Sequence, residues 1–96
     1  LFVATGYGEV LALNPADVNS QMNLALALMY LKRHQEAIGV YDRVIETHPT
    51  EAEAFANRGV AYLYLDQKDV SCEDWKAASL LGSEKARNYL LKFCQN

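Results

Sequence analysis

The chain has 96 residues, which is one domain at most. Its composition, 51% apolar, 22% charged and 10% aromatic, is that of a globular chain and excludes a disordered tail. Nine basic residues against twelve acidic ones leave a net charge of −3, which argues against nucleic acid or an anionic membrane surface as the main partner, since both need a basic patch.

No apolar run approaches the roughly 18 residues that span a bilayer, so no membrane insertion is expected. The opening residues Leu1-Phe2-Val3-Ala4-Thr5-Gly6-Tyr7 have no basic n-region and no long apolar stretch, and so are not read as an intact signal peptide. A first helix is predicted over 2–13, weakened by Gly6 and Gly8, each costing about 0.5–1 kcal/mol relative to alanine. Asn14-Pro15 breaks it. Asp17 can cap the next helix, 18–31, where Leu24, Leu28 and Leu31 recur at helical spacing. A third helix over 34–47 carries Ala37, Tyr41, Val44 and Ile45 on one face, and His48-Pro49 ends it. Thr50 followed by Glu53 reads as a capping box opening a helix over 52–65. A fifth helix covers 68–81. Gly82-Ser83 is the next break, and Ser83 with Glu84 opens the last helix, 84–94. Linkers of two to four residues force neighbouring helices to run antiparallel. No segment alternates with period two long enough for a strand, so the fold expected is all-α.

The breakers are periodic. Pro15 and Pro49 lie 34 residues apart, and Gly82-Ser83 follows at nearly the same phase. Two helices per 34-residue unit mark a stacked helical repeat. One unit reads Leu24-Ala25-x-x-Leu28, Ala37-x-x-x-Tyr41, Val44 and Pro49. The next reads Phe55-x-x-x-Gly59-x-x-Tyr62, Ser71-x-x-x-Trp75 and Ala78. This pattern resembles the tetratricopeptide repeat over essentially the whole chain. The resemblance implies a TPR-like α-solenoid of antiparallel helix pairs forming one domain over 1–96. In that division 1–17 is a half repeat, 18–51 and 52–85 are full repeats, and 86–96 completes a C-terminal capping helix. Small residues (Ala25, Ala37, Gly59, Ser71, Ala78) let helices approach, while Tyr41, Phe55, Tyr62 and Trp75 fill the wedges between units. Five positions depart from the pattern. Gln21 replaces an aromatic, Arg58 a leucine and Ser83 a proline, and Lys32 and Asp66 stand where glycine is usual. A left-handed backbone there suits Asp66 and strains Lys32 by about 1 kcal/mol.

Catalytic chemistry is not signalled. His34 and His48 fall in linkers and read as surface or capping residues. Neither histidines nor cysteines have zinc-site spacing, so no metal is expected, and Gly6-Tyr7-Gly8 is not a phosphate loop. Glu73-Asp74 and Glu51-x-Glu53 read as solvated faces. Arg58 reads as a stem laid along the core with its head paired or solvated. The chain is therefore read as non-enzymatic and without cofactor.

Helix 18–31 holds no charged residue, and a helix apolar all round must be covered on several sides or bind something. By resemblance, such helices line a concave groove that captures a peptide or protein segment. The groove positions are then Asn19, Met22, Asn23, Leu26, Met29 and Tyr30 from the first unit, and Glu53, Ala56, Asn57, Val60, Leu63 and Tyr64 from the second. Asn23 and Asn57 share one phase, where an amide can bond ligand backbone. Met22 and Ala56 stand where some relatives carry basic residues that clamp an acidic C-terminus, which disfavours a chaperone-tail receptor. The rival expectation is a self-assembling piece of a longer array. It would form a homodimer through the N-terminal half repeat, using Leu1, Phe2, Val3 and Leu26.

Cys72 lies 11 residues before Ser83 and Cys94 lies 11 after it. Antiparallel helices around that turn put both sulfurs at one level, about 16 Å from the turn at 1.5 Å per residue. A bridge also requires matched facing. Two thiols fit a reducing cytosol, whereas a disulfide fits export.

Overall fold

A computed structural model describes residues 17–95; the half repeat 1–17 and the helix expected over 2–13, with Leu1, Phe2 and Val3, lie almost entirely outside them. The described residues form five helices and no strand: α1 (Val18–Tyr30), α2 (His34–Thr47), α3 (Ala52–Tyr64), α4 (Lys68–Leu80) and α5 (Glu84–Phe93). Each packs chiefly on the next in the chain, giving a stack of antiparallel hairpins. The all-α solenoid expected from the sequence is the fold found.

Local chemistry sets the helix ends. The Asp17 carboxylate accepts the Ser20 amide at 3.3 Å and opens α1. Its own hydrogen bonds with Ser20 hold that carboxyl below the usual aspartate range. Ser83 opens α5 by accepting the Ala86 amide at 3.1 Å. The capping box expected from Thr50 is not formed: Glu51 is the N-cap of α3 and no side chain caps it. Four predicted helices end one residue early, because Leu31, Leu65, Leu81 and Cys94 are C-caps. Three of those ends are built alike. After α1, the Arg33 amide donates to the Leu28 carbonyl (2.8 Å) and that of Lys32 to Met29 (2.9 Å). Gln67 with Asp66, and Ser83 with Gly82, repeat the arrangement after α3 and α4. This Schellman closure needs a left-handed residue at its centre. Lys32 (φ 62°), Asp66 (φ 63°) and Gly82 (φ 103°) occupy those places.

Two apolar clusters hold the stack. Met22, Ala25 and Leu28 of α1 meet Ala37, Val40, Tyr41 and Val44 of α2, and Ala54 closes that cluster from α3. Trp75 centres the second, with Ala56, Ala78 and Ala86 and the half-buried Phe55, Leu63, Tyr89 and Phe93 around it. The Trp75 indole N–H donates to the Ala56 carbonyl at 3.1 Å, and Ser71 Oγ donates to the Gly59 carbonyl at 2.7 Å. Both bonds draw α4 onto the small-residue face of α3.

Arg58, the odd charge of the apolar pattern, has its head paired. Its Nε and Nη2 grip both oxygens of Asp74 on α4 (2.9 and 2.7 Å), and Nη1 donates to Asp42 on α2 (2.8 Å). The guanidinium also lies over Phe55, 5.7 Å from the ring centroid. The hydrogen bonds to Asp74 hold the Arg58 pKa above its usual value. This corrects the reading of Glu73-Asp74 as a solvated pair. Glu73 is exposed, but Asp74 is buried, because Arg58 neutralises it where α2, α3 and α4 converge.

Cys72 on α4 and Cys94 at the end of α5 are bonded, with their Cα atoms 6.0 Å apart.

Candidate functional site

The first and third helices turn one side toward a common concavity that the rest of the stack leaves open. Leu26, Met29 and Tyr30 reach it from α1, Asn57, Val60 and Tyr64 from α3, and Tyr89 from α5. Lys32 and His34, from the turn after α1 and the start of α2, close one end. The cavity measures about 280 Å³. Tyr30 is 85% exposed, Tyr64 66% and Leu26 38%, so its rim is apolar and aromatic surface standing in solvent. The His34 ring stacks on Tyr64 with centroids 4.6 Å apart and planes 3° from parallel. His34 is thus part of the groove wall rather than a plain capping residue.

The floor is polar and already engaged. Lys85 of α5 donates to Asn57 Oδ1 (3.0 Å) and to Glu53 Oε2 (2.6 Å). Behind them the buried Tyr41 hydroxyl is hydrogen-bonded with Asn57 and also donates to Met29 Sδ at 3.7 Å. Burial pushes this hydroxyl's pKa far above the usual tyrosine value.

Leu26, Met29, Tyr30, Asn57, Val60 and Tyr64, all expected to line a groove, do surround one cavity. Other expected positions do not. Met22 is only 9% exposed, because its side chain belongs to the core between α1 and α2. Ala56 is buried beneath Trp75, and Leu63 packs on the second cluster. Asn19 and Asn23 are exposed outside the lining, and Glu53 is spent on Lys85. The two asparagines were expected to be equivalent, yet Asn57 is 5% exposed and held by Lys85, while Asn23 is free to solvent. The difference arises because α5 covers α3 at that level.

Three groove residues escaped the sequence reading. Lys32 and His34 lie in the turn after α1 and at the start of α2, outside the two helix faces from which the groove is read. Tyr89 stands on the capping helix, whereas the groove is read from helices 18–31 and 52–65 alone. As expected from the helix starts at 52 and 84, α5 begins 32 residues after α3, which brings Tyr89 to the phase of Asn57. The shorter turn at 81–83 was the available signal.

A stack of antiparallel helix pairs with an open concave side defines a helical-repeat scaffold. The sequence matches the tetratricopeptide repeat in two overlapping stretches, residues 4–52 and 24–71, and the chain belongs to that family. It is 36% identical over 88 residues to a tetratricopeptide repeat protein 36 homolog of Drosophila pseudoobscura pseudoobscura. That match covers 85% of this chain and 48% of the relative, so the chain spans about half the length of the curated relative. Proteins of this family typically act as protein–protein interaction scaffolds. Among the described residues, no helix is long and apolar enough to cross a membrane.

Proposed function

We propose that this chain is a non-enzymatic interaction module that holds a peptide or protein segment in the groove between α1, α3 and α5. The observation that carries this reading is the contiguous strip of Leu26, Tyr30 and Tyr64 standing exposed around an open cavity. Contiguous apolar surface is costly in water and marks contact sites. Tyrosine and methionine suit the task, because one joins an apolar ring to a hydroxyl and the other adapts its shape. Asn57 contributes as a fixed floor, held through its Oδ1 by Lys85 and set against the Tyr41 hydroxyl. Asn23 lies outside the cavity and leaves the set.

A selection from a random peptide library against the folded chain tests the reading. Peptides enriched on the native protein should lose most of their binding to Tyr30→Ser/Tyr64→Ser, while the variant's thermal unfolding stays unchanged. Equal binding to native protein and variant would refute the groove. The rival reading, a homodimer through residues 1–17 and Leu26, requires a mass that rises with concentration in sedimentation.

A further inference from the structure

We propose that the Cys72–Cys94 bridge is a thiol–disulfide exchange site that governs whether α5 stays closed against the groove. The helix is held at two ends. The tight turn through Gly82 ties its start to α4, and the bridge ties its C-cap back to the second turn of the same α4. Between them its grip is a narrow apolar face: Ala86 is buried, and Tyr89 and Phe93 lie against Trp75 with ring centroids 5.0 and 5.6 Å away. Its other residues face solvent or are half-buried, and Lys85 reaches across to α3 by hydrogen bonds to Glu53 and Asn57. A helix of ten residues has little stability of its own, so its order depends on these ties.

Both cysteines are half-buried rather than sealed in the core, and thiol–disulfide exchange requires that an attacking thiolate reach one of their sulfurs. The reaction partner is a dithiol reductant. One of its thiolates attacks a sulfur of the bridge, the S–S bond breaks, and the departing cysteine thiolate takes up a proton. The reductant's second thiol then closes its own disulfide and releases the other cysteine as a thiol. Two electrons and two protons pass to the pair, and an oxidised dithiol partner reverses the step. Opening the bridge leaves α5 covalently tied at its start only, with its contacts to Trp75 as the remaining grip on its second half. Because Tyr89 lines the groove and stands toward the bridged end of α5, a helix frayed from that end would widen the cavity, while Lys85 at the tied start keeps its hold on Asn57. The exchange step stands without the groove reading; its consequence for binding rests on that reading.

Hydrogen exchange on the 96-residue chain, oxidised and then treated with dithiothreitol, tests the step without any ligand. Amides of 86–93 should exchange on the order of 100-fold faster after reduction, as expected for releasing a loop of about 20 residues. Those of α2 and α3 should be unchanged. Trp75 is the sole tryptophan, and its emission should shift to the red as Tyr89 and Phe93 leave it. Cys72→Ser/Cys94→Ser should match the reduced protein and ignore dithiothreitol. Equal α5 exchange in both states, loss of protection in every helix at once, a response of the serine variant to reductant, or two free thiols before reduction would each overturn the proposal. Failure there leaves peptide binding untouched, and loss of peptide binding in the tyrosine variant leaves these readouts unchanged.

Discussion

Gly59 on α3 and Trp75 on α4 are in contact with no room for a methyl group between them: a Cβ on Gly59 would lie 2.5 Å from Trp75 Nε1 and 2.8 Å from Cδ1. Trp75 cannot yield, because its ring is fully buried and its N–H is bonded to the Ala56 carbonyl. Gly59→Ala should therefore destabilise the fold by about 1–3 kcal/mol, even though alanine is the better helix former. Urea unfolding checks this. Adding Trp75→Phe should give a double variant less destabilised than the two single changes summed.

The Arg58–Asp74 pair makes a second, opposite point. Replacing Arg58 with the leucine usual at that position in the family leaves a buried carboxylate without its cation. Arg58→Leu should cost about 3 kcal/mol, as for breaking a buried pair from one side. Arg58→Leu/Asp74→Leu should recover much of that loss, since both charges then leave the interior together. Thermal or urea unfolding of the three proteins reads the difference.

Backbone strain at the first turn is removable. Lys32 holds φ 62° with a side chain that disfavours it. Lys32→Gly should stabilise the chain by about 1 kcal/mol, a rise of roughly 4–8 °C in melting temperature for a domain of this size. Asp66→Gly at the matching turn should gain less, because aspartate tolerates the left-handed region.

Stability should also fall in alkali through Tyr41. Desolvation lifts its hydroxyl above the ordinary value of 10.0, against an opposing hydrogen bond with Asn57. Below pH 10 both states keep the proton, and the contribution is fully present. Above it the unfolded chain loses the proton first, and stability falls by up to about 1.4 kcal/mol per pH unit. Tyr41→Phe should remove that slope. What remains belongs in part to Tyr62, lifted by its own burial.

The architecture was legible because the 34-residue period is carried by breakers and small residues, whose constraints are local. The left-handed turns at Lys32 and Asp66 could be placed for the same reason. The groove was legible in part. Helical phase separates Tyr30 and Tyr64 from the core, but it cannot say how deep a side chain sits once a neighbour is added. Met22 went to the core because α2 lies across it. Asn57 became floor because α5 arrives two residues out of the repeat period, and that shift also brought in Tyr89. Asp74 was hidden by the same limit. Its partner stands 16 residues away on another helix, and nothing in the local sequence announces a buried pair. For the cysteines, equal distance from Ser83 gave the level, while facing was set by how α5 rests on Trp75.

Peptide binding in the groove is tested most directly by methyl chemical-shift mapping with a library-selected peptide. The methyl groups of Leu26, Met29 and Val60 should shift together and saturate at one stoichiometric equivalent, while those of Val40 and Val44 in the core between α1 and α2 stay in place. Shifts confined to surfaces away from Leu26, Met29 and Val60 would contradict the groove as the binding site.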